Sequence, residues 1–112
     1  MKTLDELTPL TPAVFHILLA LAGGDKHGYE IMKQVRHDSQ GKVTMGNGTL
    51  YGSIKRMLAD GLVEDAGDKV GPSGDDERRR YYTLTLLGRQ ALTAEMQRYH
   101  ELVTLIQQRG LL

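Results

Sequence analysis

Residues 45–65, MGNGTLYGSIKRMLADGLVED, decide the fold. Asn47 has the short polar side chain an N-cap uses, and Leu50, Ile54, Met57 and Leu58 follow at spacings that put them on one helical face. The opposite face carries Thr49, Gly52, Lys55, Arg56 and Ala59, and is polar, partly basic and low in relief. Gly61 stops the helix, and Leu62 with Val63 begins something extended. A small helix with an apolar back, a basic front and a glycine where its backbone can approach a surface suits the major groove of DNA. The plainer reading of this stretch alone is an amphipathic surface helix.

Upstream, Leu4, Leu7 and Leu10 lie at helical spacing in an arm interrupted by Pro9 and Pro12. Thr11 followed by Pro12 predicts an N-cap with proline at the first helical position, and Gly23 with Gly24 closes that segment. Its AVFHILLALA is apolar almost all round, with His16 the only polar residue, so it needs cover on both sides. That is a first hint of a dimer, although a central helix of a monomer reads equally well. In DKHGYEIMKQVRHDSQG, Gly28, Ile31, Met32 and Val35 form the buried stripe of a second helix that Gly41 ends. Gly28 would let the first and second helices pack closely. Lys42, Val43 and Thr44 are expected to supply one or two ladder rungs of a strand.

Downstream, residues 62–66 read as a strand, and GDKVGPSGDDE carries too many breakers for any regular element. ERRRYYTLTL alternates Arg80, Tyr82 and Leu84 against Tyr81 and Thr83, the signature of a second strand. Helix, helix, helix, hairpin is the order of a winged helix-turn-helix domain. The fold class is therefore mainly α with a small β-hairpin wing, followed by a long C-terminal helix. Thr85 is a plausible N-cap for that helix, which runs to about Arg109 with Leu92, Met96, Tyr99, Val103 and Ile106 repeating as a coiled-coil seam. Leu102 and Leu105 broaden the seam. A helix of this length exceeds 30 Å at roughly 1.5 Å per residue, so its far half cannot easily pack on its own globule. The expected division is 1–84 for the winged domain with its arm and 85–112 for a dimerisation helix.

A chain of 112 residues fits one core-forming globule, and with no cysteine neither disulfides nor thiolate metal sites arise. The 14 basic and 14 acidic residues cancel, which counts against a surface that grips polyanions everywhere but not against a local patch. Charge is segregated: residues 42–56 hold three basic residues and no acidic one, while residues 60–77 hold seven acidic residues and one lysine. No apolar run approaches the roughly 20 residues of a membrane span, and MKTLDELTPL lacks the order of a signal peptide, so a cytoplasmic protein is expected. No nucleophile elbow, P-loop or HExxH occurs, and His16, His27, His37 and His100 repeat no metal spacing. The reading is of a non-enzyme without cofactor or metal. The five tyrosines are explained mostly as core and strand residues.

Three pieces carry a resemblance to a known family: LTPAVFHILLALAGGDKHGYEIMKQV, then GTLYGSIKRMLADGLVE, then RRRYYTLTLLGRQAL. In this order and spacing the chain resembles the PadR family of bacterial transcriptional regulators, in its short form with a single C-terminal helix. The resemblance spans nearly the whole chain. It implies a homodimeric winged helix-turn-helix repressor, often acting on its own promoter or on a nearby transporter or stress gene. Gly48, Thr49, Leu50 and Tyr51 match the opening of the family's recognition helix, whose tyrosine approaches a phosphate. Lys55 and Arg56 match its DNA-facing side, and Arg78 and Arg79 match the return of the wing. The residue before Gly48, often proline in the family, is Asn47 here, which alters the cap.

A two-fold dimer would present two recognition helices about one DNA turn apart to a pseudo-palindromic operator. Thr49, Ser53 and Arg56 are the candidates for base edges, with Arg56 foremost because a guanidinium takes guanine O6 and N7 together. Lys42, Tyr51, Lys55, Lys69, Arg78 and Arg79 would meet phosphates, and Asn47 stands at the helix start. The acidic run Asp75, Asp76 and Glu77 beside the arginines either pairs with them or is solvated. The expected dimer interface draws on Val14, Phe15, Leu18, Leu92, Met96, Tyr99, Val103 and Ile106. Phe15, Met96 and Tyr99 would line a space for a small aromatic or lipophilic effector that releases DNA. The alternative is a winged helix used for protein contact without DNA.

Overall fold

The computed structural model describes residues 2–70 and 78–112, and for Lys69, Val70 and Arg78 the backbone alone. Asp75, Asp76 and Glu77 lie outside the described residues. Among the described residues five helices and three strands follow in the order α1 (Leu4–Leu7), α2 (Pro12–Ala22), β1 (Lys26–His27), α3 (Gly28–Asp38), α4 (Asn47–Ala59), β2 (Val63–Val70), β3 (Arg78–Leu84) and α5 (Leu86–Gln108). This is the winged helix architecture, with α3 and α4 as the helix-turn-helix pair and β2 and β3 as the wing.

Local chemistry sets most helix starts. Thr11 Oγ1 accepts from the Val14 amide at 3.2 Å with Pro12 at the first helical position, and Thr85 caps α5 by accepting from the Gly88 amide at 3.0 Å. At α3 the cap is a histidine: His27 Nδ1 accepts from the Glu30 amide at 3.4 Å, and the Glu30 carboxylate accepts from the His27 amide at 3.1 Å. That reciprocal arrangement satisfies two amides that the first turn leaves without partners. The α4 start differs from expectation. Gly46 is the cap, with its carbonyl taking the Leu50 amide at 3.0 Å and no side-chain bond, so Asn47 is the first helical residue and points out to solvent.

A strand at Lys42–Thr44 does not form. The chain leaves α3 through left-handed Gln40 (φ 54°) and Gly41 (φ 78°), and Ser39 Oγ then bonds both the amide and the carbonyl of Val43, at 2.9 and 3.2 Å. The groups a ladder would need are thereby taken. The third strand is instead β1, which pairs antiparallel with β3 through Lys26 opposite Tyr82 and His27 opposite Tyr81. The sheet order is β1-β3-β2. β2 also outruns its expected end at Ala66, continuing through Gly67 to Val70 past a bulge between Asp65 and Gly67. Gly67 is left-handed there (φ 89°) and its amide donates to Asp65 Oδ1 at 2.7 Å, so the glycine that looked like a breaker lets the strand bend and go on.

One buried cluster joins all layers, from Leu10, Ile17, Leu18 and Leu21 through Ile31, Val35, Leu50 and Met57 to Tyr82, Ala91 and Leu92. The chain itself covers most of α2, whose Leu18 is fully buried. Leu18 and Leu92 are thus core residues of this chain, which corrects their placement at a dimer surface; the apolar sequence of α2 reflects contacts with α3, α4, α5 and β3 at once. α5 has two unlike halves. Gly88, Ala91, Leu92 and Glu95 are buried, whereas Met96, Leu102, Val103 and Leu105 are exposed. Glu95 is 1 % exposed and holds the end of the buried half: Arg98 donates to its two oxygens at 3.2 and 3.1 Å, and the Leu10 amide lies near the same carboxylate. Arg98 first, and then the Leu10 amide, hold the Glu95 carboxyl below the usual carboxylate range against the opposing effect of burial.

Candidate nucleic-acid interface

The four buried residues of α4 are Leu50, Ser53, Ile54 and Met57, which turn the remaining circumference outward. Gly48, Gly52, Lys55 and Ala59 run down the middle of the outward side at the helical repeat, with Thr49 and Arg56 on one flank and Asn47 and Tyr51 on the other. Among the described residues, nothing beyond the local helix backbone lies within 4 Å of where a Cβ would stand at Gly48, and only Arg56 Nη1, at 3.9 Å, comes near that of Gly52. The N-terminal half of the centre line is therefore open backbone, with Lys55 following on the line and Arg56 beside it. Thr49, Lys55 and Arg56 are exposed as expected, and so is Lys42 on the connection into α4.

Ser53 is a correction. At 3 % exposed it lies within the buried arc and cannot face a base edge; its hydroxyl accepts from Arg56 Nη2 at 3.4 Å. Residue 53 sits at the edge of the arc set by Leu50 and Met57, so its side depends on how α4 is rotated against the core. Arg56 also borders a cleft of about 220 Å³ with Lys2, Glu6 and Asp60, in which Lys2 Nζ stands 3.7 Å from Asp60 Oδ1.

Tyr51 holds the site together. Its ring lies on Gly28, so closely that a Cβ there would stand 2.7 Å from the ring carbon Cζ. Gly28 therefore makes room for α4 rather than for α2, which revises the role expected of it. Burial pushes the Tyr82 phenol of the wing up, and the neighbouring Tyr51 phenol pushes it further. Tyr51 thus touches the start of α3 and lies near enough to Tyr82 of β3 to act on its charge, while remaining 47 % exposed. Tyr29 is exposed as well, with Lys33 Nζ 5.3 Å from its ring centroid. Tyr29 is not a core residue, as most of the tyrosines were expected to be, while the exposure of Tyr51 fits its expected place on the outward side of α4. Tyr29 and Lys33 form an exposed cation–aromatic pair that was not singled out from sequence; their i, i+4 spacing on the polar side of α3 was the available signal.

On the wing, Arg80 pairs with Asp65 and with Asp68, the latter at 3.6 Å, so two carboxylates of β2 are matched within the hairpin. Both effects hold the guanidinium above its ordinary range, that of Asp65 first. Backbone register sets Lys69 opposite Arg79 and Val70 opposite Arg78, at the far end of the hairpin. The side chains of Lys69 and Arg78 lie outside the described residues.

Of the residues expected to line an effector space, Phe15 and Tyr99 meet edge to face at 5.1 Å and Met96 is exposed beside them. His16 packs edge-on to Phe15 at 5.7 Å with its Nδ1 buried and, among the described residues, without a hydrogen-bond partner. Among the described residues no three histidine, aspartate or glutamate side chains gather as a metal would require, and no helix is long and apolar enough to cross a membrane.

The profile of the transcriptional regulator PadR-like family matches residues 17–94, from the middle of α2 to just short of Glu95. The chain belongs to that family. Among PadR family proteins of known structure, a transcription regulator from Clostridium difficile is 30 % identical, with a TM-score of 0.73 over 88 % of this chain and 97 % of its own. A PadR-like regulator from Bacillus cereus is 22 % identical with a TM-score of 0.71, covering 94 % of this chain and 92 % of that one. PadR of Bacillus subtilis, in complex with operator DNA, is 22 % identical with a TM-score of 0.64 over 74 % of this chain and 45 % of its own length. PadR family members are transcriptional regulators rather than enzymes, and this chain is one of them.

Proposed function

We propose that this PadR family member is a homodimeric, cytoplasmic repressor that binds a pseudo-palindromic operator through α4. The observation that carries the reading is the outward side of α4: open backbone at Gly48 and Gly52 between Thr49, Lys55 and Arg56, with no acidic side chain among them. Glycine in mid-helix is unfavourable unless something must come close, and a duplex groove is such a partner. The relative from Bacillus subtilis that was solved with operator DNA supports the same use of the fold.

In this reading Arg56 takes a guanine edge and Thr49 a neighbouring base, while Asn47 flanks the helix start. Lys42, Tyr51, Lys55, Lys69, Arg78 and Arg79 meet phosphates, and Tyr29 with Lys33 extends that set along α3, the helix that crosses the backbone in such domains. A dimer is supported by the far half of α5, where Leu102, Val103 and Leu105 are exposed together and Ile106 is half-covered. A second copy laid against it, with Val14, Phe15, Met96 and Tyr99 at the near end, would cover that stripe. An aromatic or lipophilic effector would act by entering beside the Phe15–Tyr99 pair and changing the spacing of the two α4 helices.

Titration of the protein against its own upstream region at two salt concentrations tests the reading. Binding that weakens steeply with salt is expected, with Lys55→Ala reducing the slope by about one counterion. Salt-independent or absent binding would favour a protein partner instead. Sedimentation at micromolar concentration should give twice the 12.5 kDa of one chain. A thermal-shift screen of planar aromatics tests for the effector.

A further inference from the structure

Ser53 is the one polar residue among the buried residues of α4, and its hydroxyl accepts a hydrogen bond from Arg56 Nη2 at 3.4 Å. Nη1 of the same guanidinium lies over the next position, 3.9 Å from where a Cβ of Gly52 would be. The side chain of Arg56 is therefore folded back along α4 toward its N-terminal end, across the turn formed by Gly52 and Ser53. Helical side chains lean that way, but a free arginine on a surface still samples many rotamers. A partner that limits those rotamers before DNA arrives leaves less freedom to be lost on binding.

The chemistry of the holder matters. Glu6 and Asp60 border the same cleft, and a carboxylate partner would neutralise Arg56 and compete with the duplex. Lys2 stands against Asp60 instead, and the neutral Ser53 hydroxyl takes only one of the five guanidinium donors. The full charge and the remaining N–H groups stay available for guanine O6 and N7. The long bond restrains the arginine without clamping it.

The geometry points to Ser53 as a positioning residue: its buried hydroxyl orients Arg56 of the same chain toward a base edge and thereby sets sequence discrimination. This rests on the reading of Arg56 as a base contact. The test measures affinity for a duplex recovered from genomic fragments the protein retains, and for the same duplex with its half-sites scrambled, using wild type, Ser53→Ala, Ser53→Thr, Arg56→Ala and the double variant Ser53→Ala with Arg56→Ala. Ser53→Ala should lower the ratio of the two affinities roughly three- to tenfold, the range expected of one lost hydrogen bond, with an unchanged salt slope. Ser53→Thr should keep the ratio, and Ser53→Ala should add nothing once Arg56 is absent. A role in packing alone would lower both affinities together and would persist in the Arg56→Ala background, overturning the inference. So would a wild-type ratio in Ser53→Ala beside a reduced one in Arg56→Ala. A wild-type ratio in Arg56→Ala would instead overturn the assignment of Arg56 and, with it, that of Ser53.

Discussion

Gly28 and Gly88 stand in two different sequence motifs, and at both the fold leaves no room for a methyl group, but what fills the space differs. At Gly28 it is the far end of the Tyr51 side chain, a half-exposed ring that can swing away. At Gly88 it is backbone: a Cβ would overlap the Leu62 carbonyl oxygen and stand 3.1 Å from its carbon. Around Gly88 every link is main chain or cap. The Thr85 amide donates to the Leu62 carbonyl at 3.2 Å, and Thr85 Oγ1 donates to the Gly61 carbonyl while receiving the Gly88 amide. One glycine thus joins the wing root to α5, whereas the other seats a side chain of α4, the helix proposed to face DNA.

Gly88→Ala should break the contrast most strongly. Nothing flexible can yield, so we expect a loss of about 2–4 kcal/mol, read as a lower midpoint in urea unfolding. A loss below about 0.5 kcal/mol would mean that α5 slides freely on Leu62. Glu95→Gln, two turns further along the same buried face, should cost about 1–3 kcal/mol at neutral pH because the buried carboxylate accepts two charge-assisted bonds from Arg98. The sign with pH follows from its lowered pKa. The stabilisation is present above the unfolded-state value, near 4.5, and is lost as pH falls through the lower folded value, so the gap to the variant should close in acid. A gap that stayed constant down to pH 2 would show that charge plays no part.

Gly28→Ala sharpens the comparison from the other side. Its expected loss of stability is below about 1 kcal/mol, because the clash is with a movable ring, while DNA affinity should fall severalfold as Tyr51 is displaced. Equal damage to folding and binding would erase the distinction between the two glycines. Gly52→Ala should give the smallest effect on folding, with reversed sign: the new methyl meets only Arg56 Nη1 at ordinary distance, so the free protein gains about 0.5–1 kcal/mol. Operator affinity should drop nonetheless, since the methyl projects where the duplex would come. A variant both more stable and tighter-binding would argue against close approach at that position.

Much of this was open to a reader of residues alone. Thr11–Pro12, Thr85 and Gly61 mark their helix ends, the alternation of Arg80, Tyr82 and Leu84 marks a strand, and the polar front of α4 follows from spacing. These features depend on neighbours within a few positions, through capping, φ preference and periodicity, and a short window contains all of them. Tertiary structure decided what each motif meets. The pairing of β1 with β3, the seat of Tyr51 on Gly28, the closure of Gly88 on Leu62 and the inward side of Ser53 each join segments or fix rotations that no window of sequence contains. Likewise, periodicity placed Leu92 and Val103 on one seam, yet the length of α5 relative to the globule buries the first and exposes the second. A hydrophobic pattern records that a residue seeks cover; only packing settles whether this chain supplies it.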